Sequence, residues 1–231
     1  MRAVVPDYNV IVPDTLKEAL QLLNDNPNML PLAGGTDIMV MFERGKLVQK
    51  TLLNISHFSE LKKITVTDTH IHIGTLVTFS QIAQCKELQD EFPNLVHAAK
   101  QTGAVAIQNR GTIGGNIANA SPAGDSLPAL LSYSAQVELE SKVAKRLIPY
   151  AQYHLGYKQT IRKNTELITK IILERKNYQY HYFRKVGTRN AQAISKVVFA
   201  GVLEKESNNN IKEVKIAIGS VAPTPLRCVQ T

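Results

Sequence analysis

Residues 109–125, Asn-Arg-Gly-Thr-Ile-Gly-Gly-Asn-Ile-Ala-Asn-Ala-Ser-Pro-Ala-Gly-Asp, hold Gly111, Gly114, Gly115 and Gly124 among small and amide side chains. Without a Cβ, glycine admits positive φ and lets a ligand lie against main-chain N–H groups. The segment therefore reads as a binding surface made of backbone, and the first chemistry it suggests is retention of an anionic cofactor. A second segment, Leu30-Pro31-Leu32-Ala33-Gly34-Gly35-Thr36-Asp37, has the same texture. Two separated Gly-Gly segments in one small chain carry the main weight of this reading.

Neither segment is a standard nucleotide loop. Gly-x-x-Gly-Gly-Asn at 111–116 matches neither the Gly-x-Gly-x-x-Gly of a Rossmann turn nor the Gly-Lys-Ser/Thr ending of a P-loop. Asn116, Asn119 and Ser121 can meet hydroxyls and amide edges, and Asp125 can accept from ribose hydroxyls. At Gly34-Gly35, a strand-turn-helix arrangement would aim orphan N–H groups and the helix dipole at one point. A ligand-free tight turn explains Gly34-Gly35 equally well, and Asp37 either caps the helix or binds a ribityl hydroxyl.

The elements that must position these loops follow from periodicity. Thr15-Leu16-Lys17-Glu18 is a capping-box pattern, and Leu16, Ala19, Leu20 and Leu23 form one face of a helix over 13–24. Residues 29–33 form a strand and 38–42 a helix capped by Thr36 or Asp37 and closed by Gly45. Strands are expected at 52–55 and 70–74, a helix at 81–88 led in by Thr78, and another helix through Leu95, Ala98, Ala99 and Thr102. Pro128 begins a helix capped by Asp125 or Ser126. Residues 137–140, 167–173, 178–186, 197–203 and 214–218 are strand candidates by alternation or β-branching. The texture changes near Lys176-Asn177, which places a boundary there.

The chain has 231 residues, 44% of them hydrophobic, and a formal net charge of +8. That suits a main domain with a smaller companion. Lys and Arg are scattered, with no nucleic-acid motif, so nucleic acid is not the expected partner. Cys85 and Cys228 lie far apart with no Cys-x-x-Cys, so this chain's thiols build neither an iron–sulfur cluster nor a structural zinc site. They read as free thiols in a reducing compartment. Residues 1–7 lack the apolar stretch of a secretory signal, and no run approaches the roughly 18 residues of a membrane span. A cytoplasmic protein without membrane attachment is the expectation.

Three further groups have bland explanations. His70 and His72 share a strand face, but no Asp, Glu or Cys nearby completes a metal site, and a partly exposed edge strand accounts for them. Tyr178, Tyr180 and Tyr182 share a face suited to core or interface packing. Ser121 lies in no nucleophile elbow, and no catalytic residue is assigned.

Residues 32–37 and 111–125 resemble the two FAD-binding segments of the medium, flavin-carrying subunit of molybdenum hydroxylases, the family of xanthine and carbon monoxide dehydrogenases. The likeness runs on through Phe183-Arg184-Lys185-Val186-Gly187-Thr188-Arg189-Asn190-Ala191 and through Ala217-Ile218-Gly219-Ser220-Val221-Ala222-Pro223-Thr224-Pro225. It implies an α+β fold: a bi-lobed FAD-binding domain of the vanillyl-alcohol oxidase or p-cresol methylhydroxylase type, followed by a smaller α+β C-terminal domain. The FAD domain would span 1–176, with lobe one about 1–56 and lobe two about 57–176, and 177–231 would be the partial C-terminal domain. Relatives run on well past Pro225, so the resemblance implies truncation there.

By the same resemblance, the FAD pyrophosphate and neighbouring groups would meet Leu32, Ala33, Gly34, Gly35, Thr36 and Asp37, together with Thr112, Ile113, Gly114, Gly115 and Asn116. Asp125 would contact the adenosine ribose side, Ile168 would pack near the cofactor, and Lys185 would lie close to the flavin ring, stabilising its anionic reduced form. An ordinary strand-end lysine explains Lys185 as well. The implied role is an FAD-carrying electron-transfer subunit, an oxidoreductase component that takes electrons from an iron–sulfur small subunit paired with a molybdopterin large subunit. It would pass them to NAD+ or another acceptor. A non-catalytic assembly or regulatory relative that has lost flavin is the alternative.

Overall fold

The computed structural model describes residues 7–189 and 192–230. The signal-free reading of the N-terminus up to Pro6, and Asn190-Ala191 of the downstream motif, lie outside them.

The first unit is β1 (Asn9–Ile11), α1 (Leu16–Asp25), β2 (Leu30–Leu32), α2 (Thr36–Glu43) and β3 (Thr51–Asn54), with a parallel sheet in the order β1-β3-β2. Thr15 caps α1, its Oγ1 accepting from the Glu18 N–H at 3.1 Å, but the expected capping box is not closed, because Glu18 Oε2 accepts from the Asp14 N–H rather than from that of Thr15. Ala19, Leu20 and Leu23 bury the inner face of α1. Gly35, rather than Thr36 or Asp37, is the N-cap of α2, because the turn demands φ +77°. Gly45, at φ +63°, closes that helix as expected.

The second unit contains β4 (Ile64–Val66), β5 (His70–Gly74), α3 (Phe79–Gln84), α4 (Lys86–Glu91), α5 (Pro93–Gln101), α6 (Val105–Arg110), α7 (Ile113–Asn119) and α8 (Ser126–Ser132). It continues through β6 (Gln136–Glu140), β7 (Lys145–Pro149), the hairpin β8 (His154–Gly156) and β9 (Gln159–Thr160), and β10 (Leu167–Glu174). An antiparallel sheet runs β4-β5-β10-β6-β7. Three local readings change here. The helix expected over 81–88 is split at Cys85, whose ψ of 118° ends α3 and starts α4. The glycine-rich segment is a helix, α7, not an open loop. The strand with His70 and His72 is interior to its sheet, not an edge, because β4 pairs its outer side.

The third unit is the antiparallel sheet β11 (Tyr180–Gly187), β12 (Ser195–Lys205), β13 (Ile211–Gly219) and β14 (Leu226–Cys228), in chain order. The three tyrosines part company: Tyr178 precedes β11 and is buried, whereas Tyr180 and Tyr182 are about half exposed.

Two apolar clusters hold the units together. The smaller joins Ala19, Leu20, Leu23, Leu53 and Ile55 to Leu61, Leu76 and Leu167, so the second unit completes the core of the first. The larger runs from Ile71 and Ile73 through Leu95, Ile117 and Leu130 to Ala200, Val202 and Ala217 of the C-terminal sheet. Burial of these side chains, about 25 cal/mol per Å² of apolar surface, fixes how the segments meet.

Candidate functional site

A cleft of about 1050 Å³ lies where the units converge. The β2–α2 turn forms one wall. Thr112, residues 114–116, Asn119 and Ser121 form the floor, with residues 102–104 beside them. Lys158, Arg162, residues 166–168 and residues 192–194 also line the cleft.

Two glycines permit this convergence. A Cβ built on Gly34 would fall on the carbonyl oxygen of Arg110, so the first unit approaches the end of α6 backbone to backbone. Arg110 Nε also donates to Gly34 O, at 3.4 Å. A Cβ on Gly114 would fall on Thr75 Oγ1, which lets α7 press against the turn after β5. These are positions of close approach rather than of flexibility.

Among the helix N-termini at the cleft, those of α2 and α7 differ. At α7, Thr112 Oγ1 accepts from the Gly115 N–H at 3.1 Å, while the Ile113 and Gly114 N–H groups donate to Val77 O and Thr75 O, both at 3.0 Å. Its first-turn donors are therefore satisfied within the protein. At α2, no acceptor among the described residues meets the N–H groups of Gly35, Thr36, Asp37 or Ile38. A buried or half-buried helix end with unpaired donors is an anion cradle. The β2–α2 turn thus presents unpaired backbone donors at the cleft, whereas the 112–116 segment contributes surface and side chains. Asn116 Oδ1 accepts from Ser126 Oγ at 2.7 Å, and the Asn119 side chain has no partner among the described residues. Ala120 ends α7 in the left-handed region, φ 49°, and turns the chain toward Ser121.

Of the residues singled out from the sequence, Ala33, Gly34, Gly35, Thr36, Asp37, Thr112, Gly114, Gly115, Asn116, Asn119, Ser121 and Ile168 line the cleft. Leu32, Ile113, Asp125 and Lys185 do not. Leu32 belongs to β2, where its carbonyl accepts from the Ile55 N–H, and Ile113 is wholly buried in the larger core. Lys185 Nζ lies 2.7 Å from Asp125 Oδ2 and also donates to Gln101 O; Ser195 Oγ donates to Asp125 Oδ1. Burial raises the Asp125 pKa, against the hydrogen bonds from Lys185 and Ser195. Asp125 and Lys185 thus pair with each other and are not among the residues that line the cleft. Asp125, Gln101 and Ser195 adjoin the cleft-lining Gly124, Thr102 and Ile194, so the buried ion pair and its hydrogen bonds tie the C-terminal sheet to the cleft walls.

Lys158, Arg162 and Glu166 were not singled out from the sequence. Arg146 grips Glu166 with two bonds of 2.7 and 2.8 Å, and the Lys163 N–H adds a third. Burial pushes the Glu166 carboxyl up, but Arg146 and Lys163 outweigh it and leave the pKa below the ordinary value. Arg162 Nη1 donates to the carbonyls of Lys163 and Glu166. Burial raises the Asp37 pKa, with Lys158 opposing. No group of three or more His, Cys, Asp or Glu side chains suited to a metal ion occurs among the described residues. No helix among them is long and apolar enough to cross a membrane.

Residues 6–174 match the family model described as the FAD binding domain in molybdopterin dehydrogenase. The xanthine dehydrogenase FAD-binding subunit of Escherichia coli O157:H7 is 31% identical over 217 residues, covering 93% of this chain and 74% of that protein. The glyceraldehyde dehydrogenase medium chain of Sulfolobus acidocaldarius is 29% identical, covering 97% and 79%. Among solved structures, carbon monoxide dehydrogenase from Hydrogenophaga pseudoflava superposes with a TM-score of 0.92 at 25% identity, over 97% of this chain and 78% of that one.

Proposed function

The chain belongs to the family of FAD-binding domains of molybdopterin dehydrogenases and is an FAD-binding subunit of the molybdenum hydroxylase type, and from that premise we propose how it works. It carries FAD in the 1050 Å³ cleft and serves as the outlet of a multi-subunit dehydrogenase in the cytoplasm. An iron–sulfur subunit, itself served by a molybdopterin subunit, delivers electrons to it, and NAD+ or another acceptor receives them. In this reading the first two units are the lobes of a vanillyl-alcohol oxidase type fold, divided from a C-terminal domain near residue 176.

The observation that carries the proposal is the unpaired row of N–H groups at Gly35, Thr36, Asp37 and Ile38, facing a cleft large enough for an extended dinucleotide. The residues present fit the cofactor: glycines clear the floor, donors await a diphosphate, and amides and a hydroxyl stand at Asn116, Asn119 and Ser121. Bound FAD supplies the redox chemistry. The chain's own part is to hold and orient. The α2 N-terminus seats the diphosphate, Asn119 and Ser121 meet hydroxyls, and Leu167 and Ile168 present an apolar wall that excludes water. Asp125 and Lys185 act at a distance by fixing residues 101–104, 124 and 194–195.

The test is the visible absorption spectrum of the purified chain before and after FAD is added, followed by desalting. Flavin bands that survive desalting are the expected result. A chain that stays colourless alone and with its partner subunits would falsify the reading.

A further inference from the structure

Four formally charged side chains line the cleft: Asp37, Lys158, Arg162 and Glu166. Glu166 is held by Arg146, and Arg162 is engaged with two carbonyls. Lys158 has no hydrogen-bond or ion-pair partner among the described residues. It is exposed, at the tip of the β8–β9 hairpin, where its own φ of 53° places it in the left-handed region. Among the described residues it is the cation of the cleft that no hydrogen bond or ion pair holds.

The cradle at α2 needs such a cation. A helix N-terminus is worth roughly half a positive charge, but Asp37 in the first turn of α2 contributes a full negative charge when ionised. The two together are net negative by roughly half a charge, which repels an anion. Lys158 restores a positive sum, and its charge already acts on the Asp37 carboxyl.

Resting on the flavin-carrying role above, we propose that Lys158 is the counter-charge that seats the diphosphate of the cofactor on the α2 N-terminus. The hairpin thereby adds its charge to the lining that it shares with Gly34-Gly35. Lys185, the cation that the family resemblance suggests for the cofactor, is already neutralised by Asp125.

The experiment titrates FAD, ADP and riboflavin calorimetrically into the full chain and into K158N, K158R, K158E and D37N/K158N, at low and high salt. Asparagine tolerates the left-handed backbone, so K158N removes the charge while keeping the turn. Losing one charge-assisted hydrogen bond in a partly exposed site weakens FAD and ADP on the order of ten-fold, less at high salt. Riboflavin, which lacks phosphate, binds as before. K158R retains binding, K158E loses more than K158N, and D37N/K158N recovers part of the loss. Unchanged ADP and FAD affinity in K158N, beside a wild-type chain that binds both, overturns this inference alone. An equal loss of riboflavin also overturns it, since the lysine would then serve the ring or the fold. A wild-type chain that binds none of the three ligands overturns the flavin reading and this inference with it.

Discussion

Gly34→Ala tests the geometry of the cleft most directly. The added Cβ would sit 1.9 Å from the Arg110 carbonyl oxygen, against an ordinary contact of at least 3.4 Å, so the two backbones must part by about 1.5 Å (3.4 − 1.9). Both neighbours are main chain, and no side chain can swing aside. Overpacking of this kind costs about 1–3 kcal/mol, which for a chain of this length lowers Tm by about 2–12 °C. The same displacement moves the Gly35–Ile38 donors well beyond the ~0.5 Å tolerance of a preorganised site. FAD affinity then falls at least about ten-fold. Gly45→Ala is the internal control. It sits at φ +63° with nothing within 4 Å, so it costs about 1–2 kcal/mol of backbone strain and leaves FAD affinity alone. Differential scanning fluorimetry and equilibrium dialysis against FAD separate the two. A Gly34→Ala chain that melts and binds like the wild type would refute the close backbone approach, and a Gly45→Ala chain that loses FAD would refute its localisation.

Arg146→Ala leaves the buried Glu166 carboxylate with only the Lys163 N–H, and urea denaturation should show a loss of about 2–4 kcal/mol, milder in Glu166→Gln. Lys185→Met strands Asp125 and destabilises by a similar amount, whereas Asp125→Asn/Lys185→Met costs less than the sum of the single changes; additive effects would rule out the pairing. Burial depresses the His154 pKa to about 4. Because the unfolded side chain titrates near 6.5, the unfolded state binds the extra proton first. The stabilisation is present above about pH 6.5 and lost as pH falls toward 4, by about 3 kcal/mol in all. The half-buried His72 and His181, also depressed by desolvation, titrate in the same direction. His154→Gln should flatten the pH dependence of the urea midpoint below 6.5, and an unaltered slope would exclude His154 as its source.

What could be read from the sequence was local or compositional. The Thr15 cap of α1, the Gly45 stop, the α1 stripe and the strands of the larger sheets depend on residues a few positions apart, whose hydrogen bonds and periodicity are set within one turn or strand. The two glycine segments marked about half of the cleft lining, because close backbone approach demands glycine wherever the partner comes from. Which partner came close was decided elsewhere: Gly34 needs Arg110, 76 positions away, and Gly114 needs Thr75. The same holds for the donors. Gly115 and Gly35 look alike as residues, yet Val77, Thr75 and Thr112 consume the N–H groups of α7, and no described residue consumes those of α2. Asp125 and Lys185 could be picked out as polar residues of interest, but their pairing across 60 positions was invisible until the C-terminal sheet packed on α5 and α8. Lys158 carried no motif signal at all. The sequence alone determined which backbones can approach and which helices start and stop, whereas the tertiary structure alone decided which donors and charges stay unspent, because hydrogen bonds and ion pairs are exhausted by whichever neighbour packing brings within about 3 Å.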